Sequence, residues 1–517
     1  MTGRKLALLL ICVLSAACRK DGLETVSEPI RHVFLEASSL TVPPGGSAEF
    51  AFRPDGALPG EFSLRLRDGG APEEFFLCGV SESGEPGRVL ARISDAGTCA
   101  AYSREVCIVY GGAVSDYICV NCGKPSFPAS VDTGLPVVFI DTDSGRTVYS
   151  KTVEIESVIK IQGAGGYEDL GPCSCRLSGR GNISWKWDKK PYRIEFRDRV
   201  PVLGMPAHGQ WVLLANYPDR TMMRNLVAMK VSSLTSLAWT PRCVPVELVL
   251  NGRHLGNYLL AEQVAVAPER VDVSAQGGFL LESDFHFDNE LQWMDAHGFS
   301  RRLFGIPFAV KFPSAADIEE DQAEYIKQYV SDAAGAIYSD GFADASEGYA
   351  RWIDVDSFVD YWLVYEVMGN PELGNPGSVF FHKDAGGKLA AGPCWDFDWC
   401  LTRTWTSIEE RVGIVNSGAI WYARLFKDPA FARRVRERFM ELLPQLQTVP
   451  AYIDECGALL AASAELNFAL WNPADDRWQN NGLLINGDEN LDFADAVSRL
   501  RSVFEERLQI CFDKLPE

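Results

Sequence analysis

Gly369-Asn-Pro-Glu-Leu-Gly-Asn-Pro-Gly377 is broken by prolines and glycines at almost every second position, a composition that supports neither a helix nor a strand. It follows a segment with helical periodicity, Asp356 to Met368, for which Asp356 is the expected N-cap. After it come two short apolar runs, Ser378 to Lys383 and Lys388 to Cys394, which the turn residues Asp384-Ala-Gly-Gly387 fold into a hairpin. The second run delivers the chain into Trp395-Asp396-Phe397-Asp398. Alone, an Asp-x-Asp at a strand end is more often a solvated turn than a metal site. What gives it weight is its place after a helix, an irregular loop and a hairpin.

Outward from this centre the pattern remains mixed. Asp321 to Tyr338 and Met222 to Ser233 have helical spacing, and Glu319-Glu320-Asp321 places negative charge where a helix start favours it. From about Ile420 to the C-terminus the chain reads as mainly helical. Asn251-Gly252 between Val246 to Leu250 and Leu255 to Val264 is the strongest hairpin signal in the sequence. Strands are also expected at Pro136 to Ile140, Thr152 to Gln162 and Tyr192 to Phe196. In the last, Tyr192, Ile194 and Phe196 share one face and Arg193 and Glu195 the other. Residues 31–123 hold short strand-like pieces between turns, Ser47 to Phe52 the clearest, and read as a small Ig-like β-sandwich with no gathering of catalytic groups. A linker at 124–134 follows.

At the N-terminus, Arg4 and Lys5 precede an apolar run, Leu6 to Ala17, that ends Ser15-Ala16-Ala17-Cys18. This is the pattern of an export signal, too short to span a bilayer. With a cysteine after the small pair it resembles a lipoprotein signal. The expectation is a signal peptide at 1–17, lipidation at Cys18, a tether at 18–30, and a place in the cell envelope on a bacterial membrane. The chain is 47% hydrophobic and 23% charged, an ordinary globular composition. Its net charge of −21 argues against a nucleic-acid partner. Of the 14 cysteines, Cys78, Cys99, Cys107, Cys119 and Cys122 cluster in the N-terminal region, where export would allow disulfides. Cys119/Cys122 and Cys173/Cys175 look like zinc half-sites, but no histidine pair follows, so disulfides or unpaired thiols are the expected reading. Trp185, Trp187 and Trp211 read as packing against a sheet.

Protein kinases assemble a phosphate-transfer site from the same order of parts: helix, catalytic loop, hairpin, metal-binding aspartate before a phenylalanine. The chain resembles the CotH family of atypical secreted kinases more specifically. The resemblance is carried by Arg180-Gly-Asn-Ile-Ser-Trp185, Lys189-Lys-Pro-Tyr-Arg-Ile194, Leu203-Gly-Met205, Trp211-Val-Leu-Leu-Ala-Asn216, Met223-Arg-Asn225, Asn251-Gly-x-x-Leu-Gly-x-Tyr258, Glu262-Gln263, Gly277-Gly-Phe-Leu-Leu-Glu282 and Gly392-Pro-Cys-Trp-Asp-Phe-Asp398. It implies an α+β, two-lobed kinase-like domain behind the small β-sandwich. Its N-lobe would run over 135–265, its C-lobe with the metal site over 266–420, and a helical end over 421–517. It further implies ATP and Mg²⁺ or Mn²⁺ as cofactors and an extracytoplasmic protein as acceptor of phosphate on serine or threonine. Carried over, Asp396 holds metal and Asp398 a second metal or the orientation of the first. Lys190 contacts phosphate, with Lys189 the alternative and Arg193 assisting, and Glu262 and Gln263 line the adenine pocket. Glu372 stands where the spore-coat form has an aspartate and is the catalytic or metal-orienting carboxylate. Arg224 pairs with a carboxylate of the fold. A kinase-shaped surface protein that binds glycan or protein without turnover, and nucleotidyl transfer on the same fold, are the competing readings.

Overall fold

The computed structural model describes residues 32–42, 47–55, 61–67, 76–82, 85–95, 102–122, 131–143, 148–286, 291–299, 304–402, 413–471, 488 and 491–516. The signal-like segment, Cys18, the tether, most of the 124–134 linker, Cys99 and the Cys122 side chain lie outside the described residues. The chain is mixed α/β: a β-sheet region, then a β-barrel, then a half rich in helices.

Strands β1 (Val33–Leu35), β2 (Ser39–Val42), β3 (Ser47–Pro54), β4 (Phe62–Leu66), β5 (Phe76–Glu82), β6 (Val89–Asp95), β7 (Tyr102–Tyr110) and β8 (Ala113–Cys122) form the first region. Their order is β4-β7-β8-β1-β3-β6-β5, with β2 on β8. Its two halves, antiparallel except for β2, which runs parallel to β8, join at one parallel pair, Val33 with Ser115. They also share a core: Phe52 of β3 meets the rings of Phe62 and Tyr110 from the other half at 6.1 and 5.3 Å.

Seven strands then close into a barrel: β9 (Val137–Thr142), β10 (Ile155–Gln162), β11 (Leu170–Gly179), β12 (Tyr192–Val202), β13 (Met205–Leu214), β14 (Cys243–Leu250) and β15 (Arg253–Glu262). The expected hairpin is β14–β15, and Asn251 and Gly252 both take positive φ, 51° and 75°, as a tight turn between twisted strands requires. Closure comes from parallel pairing of β9 with β14. Period-2 burial along β10 sends Ile155, Ile159 and Ile161 inward to Ile194, Trp211 and Tyr258. Cys173 and Cys175 pack against this same barrel core. Among the described residues no three His, Cys, Asp or Glu side chains are grouped to hold a metal.

Helix α1 (Arg224–Ser232) crosses between β13 and β14. The second half is built on a sheet of order β17-β18-β16-β19-β20, formed by β16 (Phe279–Ser283), β17 (Gln292–Phe299), β18 (Phe304–Phe312), β19 (Val379–Lys383) and β20 (Leu389–Ala391). Helices α2 (Glu320–Tyr338) and α3 (Val355–Val367) pack on it, α4 (Pro429–Leu446) and α6 (Phe493–Lys514) pack on α3, and α5 (Val449–Leu470) packs on barrel strand β15 and on α6. Glu319 caps α2, its N–H donating to Gln322 Oε1 at 3.0 Å. For α3 the expected cap is displaced: Asp354, not Asp356, accepts from Ser357 N, while Asp356 sits in the first turn and pairs with Arg434 at 2.8 Å. Phe308, Phe358 and Phe381 gather around Trp421, within 5.9 to 6.2 Å. Each such buried phenylalanine is worth about 2–3 kcal/mol. This core fixes α3 and the β19–β20 hairpin, the two elements that flank the loop at Glu372. No helix among the described residues is long and apolar enough to cross a membrane.

Candidate active site

Between the barrel and the five-stranded sheet lies a cleft of about 840 Å³, with Glu372, Asp396 and Asp398 on one side and Lys151, Arg180 and Arg193 on the other. The motif reaches it by being anchored at its middle. Phe397 is fully buried, its ring 4.7 Å from that of Tyr365, and its N–H donates to Asn225 Oδ1 of α1 at 2.7 Å. With that residue pinned, the aspartates before and after it face the cleft. Asp396 takes a φ of 63°, a left-handed conformation that Asp and Asn accept more readily than other side chains. Asn370 Nδ2 donates to Asp396 O at 3.4 Å and so ties the motif to the proline-rich loop.

That loop contains a short 3₁₀ turn, Pro371–Gly374, capped by Asn370 Oδ1, which accepts from Glu372 N at 3.0 Å. Asn370 O in turn accepts from Asn416 Nδ2 at 3.0 Å. Buried Glu366 of α3 holds that support in place, accepting from Val415 N and Asn416 N at 2.9 Å each and from Arg507 of α6. Glu372 is therefore set by a chain of buried hydrogen bonds.

The electrostatics are those of an anionic trap. Burial, then the charges of Asp396, Asp398 and Asp284, push the Glu372 carboxyl well above the usual carboxylate range. Burial and the charge of Asp396 do the same to Asp398. Asp396 is also raised by burial, with Arg180 and a hydrogen bond from Asp398 opposing the rise. Arg180 lies over the Trp395 ring at 5.7 Å; burial lowers its pKa, and the charges of Asp396, Asp398 and Glu282 pull the other way. Glu372 Oε2, Asn375 Oδ1 and Gln263 Oε1 are buried oxygens of the cleft that accept no hydrogen bond from the described residues. Among the described residues no third carboxylate is grouped closely enough with Asp396 and Asp398 to complete a metal cage, but two carboxylates beside orphaned oxygen acceptors suit Mg²⁺ or Mn²⁺, which takes its remaining oxygens from phosphates and water. Arg180, Arg193 and Lys151 suit the phosphates that would accompany it.

The site residues expected from sequence are thus only partly brought together. Glu372, Asp396, Asp398, Arg193 and Gln263 line the cleft; Lys189, Lys190 and Glu262 do not. Lys189 Nζ donates to Asn257 O and, at 2.9 Å, to Asn467 Oδ1 of α5. Lys190 Nζ donates to Trp185 O at 3.1 Å and to Trp187 O. Glu262 is turned to Arg242, whose N–H and Nε lie 2.8 and 3.2 Å from Oε2. Arg224 binds the carboxylates of Asp219 and Asp488, as expected for a residue of the fold. The physical reason for the lysines is the barrel. Both lysines precede β12 and are drawn to its buried surroundings, Lys189 beneath the Tyr258 ring of the barrel and Lys190 onto the carbonyls of Trp185 and Trp187, whereas Arg193, on the face of β12 opposite Tyr192 and Ile194, enters the cleft. In the sequence Arg180 stood out only as part of a matching segment. Its signal was the glycine on either side, since a Cβ at Gly179 or Gly181 would collide with the Trp185 ring or with Ser184 Oγ.

No curated protein matches the sequence. Among solved structures, weak likenesses include the surface layer protein SbsC, domains 4–9, at 11% identity over 35% of this chain and 30% of that one, TM-score 0.14. The N-terminal Ig1-2 module of the Drosophila receptor protein tyrosine phosphatase DLAR matches at 12% identity over 28% of this chain and 95% of that one, TM-score 0.13. The Yersinia pseudotuberculosis adhesin InvE matches at 8% identity over 36% and 59%, TM-score 0.14. Overlaps this small carry no argument. The family description "CotH kinase protein" matches residues 177–511, which include the Arg180 loop, the Glu372 loop and the Asp396 motif. On that match, over more than half of its length, the chain belongs to the CotH kinase family.

Proposed function

We propose that this CotH family member is an exported atypical protein kinase with a two-lobed, kinase-like catalytic half. It transfers the γ-phosphate of ATP to a serine or threonine hydroxyl of an extracytoplasmic protein. Its place is the cell envelope, on a membrane to which lipidated Cys18 tethers it. The observation that carries the reading is that the buried carboxyls of Glu372, Asp396 and Asp398 line one cleft with Arg180. Asp396 and Asp398 would hold Mg²⁺ or Mn²⁺, which neutralises charge on the phosphates. Arg180 and Arg193 would bind phosphate oxygens, and Gln263, which lines the same cleft, would contact the base. Glu372 orients the acceptor hydroxyl and takes its proton at Oε2 as the hydroxyl oxygen bonds to the γ-phosphorus; the bond to the bridging oxygen breaks and ADP leaves.

The test is incubation of the purified chain with Mn²⁺ and ATP labelled at the γ- or, in parallel, the α-phosphate. Metal-dependent incorporation of γ-label alone is expected. Asp396→Asn, which keeps a side chain suited to positive φ, lowers it by about 10²-fold or more, and Glu372→Gln lowers it as well. Incorporated α-label would establish nucleotidyl transfer instead. Absence of metal-dependent nucleotide binding, with Asp396→Asn indistinguishable from wild type, would leave the non-catalytic binder. Autophosphorylation by Glu372→Gln at the unmutated rate would remove Glu372 from the chemistry.

A further inference from the structure

Lys190 lies outside the cleft, and its surroundings assign it other work. Its ammonium sits 5.8 Å from the ring of Phe34, on β1, and 5.6 Å from that of Trp185. These two rings stack on each other, with centroids 6.3 Å apart and planes 17° apart. Asp55 and Asp116 of the N-terminal sheet add opposite charge nearby. Two more contacts run alongside: Arg53 stands 5.8 Å from the Tyr149 ring, and Arg253 Nε lies 3.4 Å from Glu105. Directly behind them is the cleft wall. The Trp185 ring packs so close to Gly179 that a Cβ there would overlap it. Gly179 N donates to Ser150 O at 2.8 Å, and Lys151 Nζ to Asn182 Oδ1 at 3.1 Å. Trp185 is wedged between Phe34 and the backbone that leads into Arg180.

We propose that the N-terminal β-sheet region buttresses the nucleotide site: Phe34, stacked on Trp185 and Lys190, fixes residues 179–187 so that Arg180 faces Asp396 and Asp398 before nucleotide arrives. Phe34 is a positioning residue, and the inference rests on the kinase reading of the cleft. A segment ordered in advance loses no conformational freedom on binding, so removing the buttress weakens nucleotide affinity more than it slows the bound complex.

The experiment uses the full chain and three variants: Phe34→Ala, Phe34→Trp and Trp185→Ala, the last removing the same stack from the barrel side. Amide exchange over 179–187 is measured without nucleotide, and binding of a non-hydrolysable ATP analogue with Mn²⁺ is measured by calorimetry. Both alanine variants are expected to speed exchange in that segment and to weaken binding about tenfold. Turnover at saturating nucleotide stays within about twofold, and Phe34→Trp restores both readings. Exchange over 179–187 unchanged in both alanine variants overturns the buttress. A wild-type chain that binds no nucleotide overturns the kinase reading alone, and the exchange measurement still decides the buttress.

Discussion

Lys189 illustrates how a single buried charge reports its surroundings. Burial pulls its pKa down to about 7, against the opposing charge of Glu247. An unfolded lysine titrates near ~10.4. Between about pH 7 and about pH 10 the unfolded chain therefore binds a proton that the folded chain does not. The stability contributed by this group rises with pH across that window, and it is lowest below pH 7, where both states are charged. We predict that Lys189→Met flattens this rise in urea unfolding measured across that range; a slope identical to wild type would refute the assignment. The family resemblance placed this residue and Lys190 beside phosphate. Which face of β12 lines the cleft depends on how seven strands close, and no local pattern carries that. The acidic side was legible for the opposite reason. Asp396, Asp398 and Glu372 are positioned by a helix, a loop and a hairpin adjacent in sequence, so their order along the chain already implied their meeting.

At the level of elements the local signals held where they were local. The Asn251-Gly252 turn and the β19–β20 hairpin appear where the sequence placed them, and the start of α2 is the acidic run at Glu319. Barrel closure was not legible, because β9 meets β14 across about a hundred residues in a parallel pairing with no turn to announce it. Helix α1 shows what tertiary context adds. Its Asn225 fell within a recognised motif, and only the fold reveals the job: one side chain oxygen accepting the Phe397 N–H at 2.7 Å. We predict that Asn225→Ala, which leaves that buried donor without its acceptor, costs about 1–3 kcal/mol in urea unfolding. Because the same bond sets the path of Asp396, Mn²⁺ affinity falls as well. Loss of stability with metal affinity unchanged would separate α1 from the site and refute this role for Asn225.

Across the whole molecule the C-terminal helices act as a strap on the two halves that form the cleft. Trp471, just beyond α5, donates from Nε1 to Leu255 O of the barrel at 2.8 Å, and Ser463 of α5 donates to Glu247 of β14 at 2.5 Å. Arg507 of α6 holds Glu366 beneath the Glu372 loop. The deepest tie is Arg224. It is fully buried, bonded to Asp219, to Asp488 and to Cys400 O just past the aspartate motif, and so joins α1, the β13–α1 connection, the cleft floor and the approach to α6. Burial opposes its charge, and the two carboxylates more than offset that. Such a cluster is stable only while complete: taking out the cation leaves buried Asp219 without its counter-charge and Asp488 with Arg499 alone, 3.2 Å away, which costs about 3–5 kcal/mol. We predict a loss of that size for Arg224→Met in urea unfolding. Because the pairs are buried, the difference from wild type is nearly independent of added salt, unlike that of an exposed ion pair. A change below about 1 kcal/mol, or one that vanishes in 1 M salt, would mean that the strap is held by its apolar packing and that the buried charges contribute no net stability.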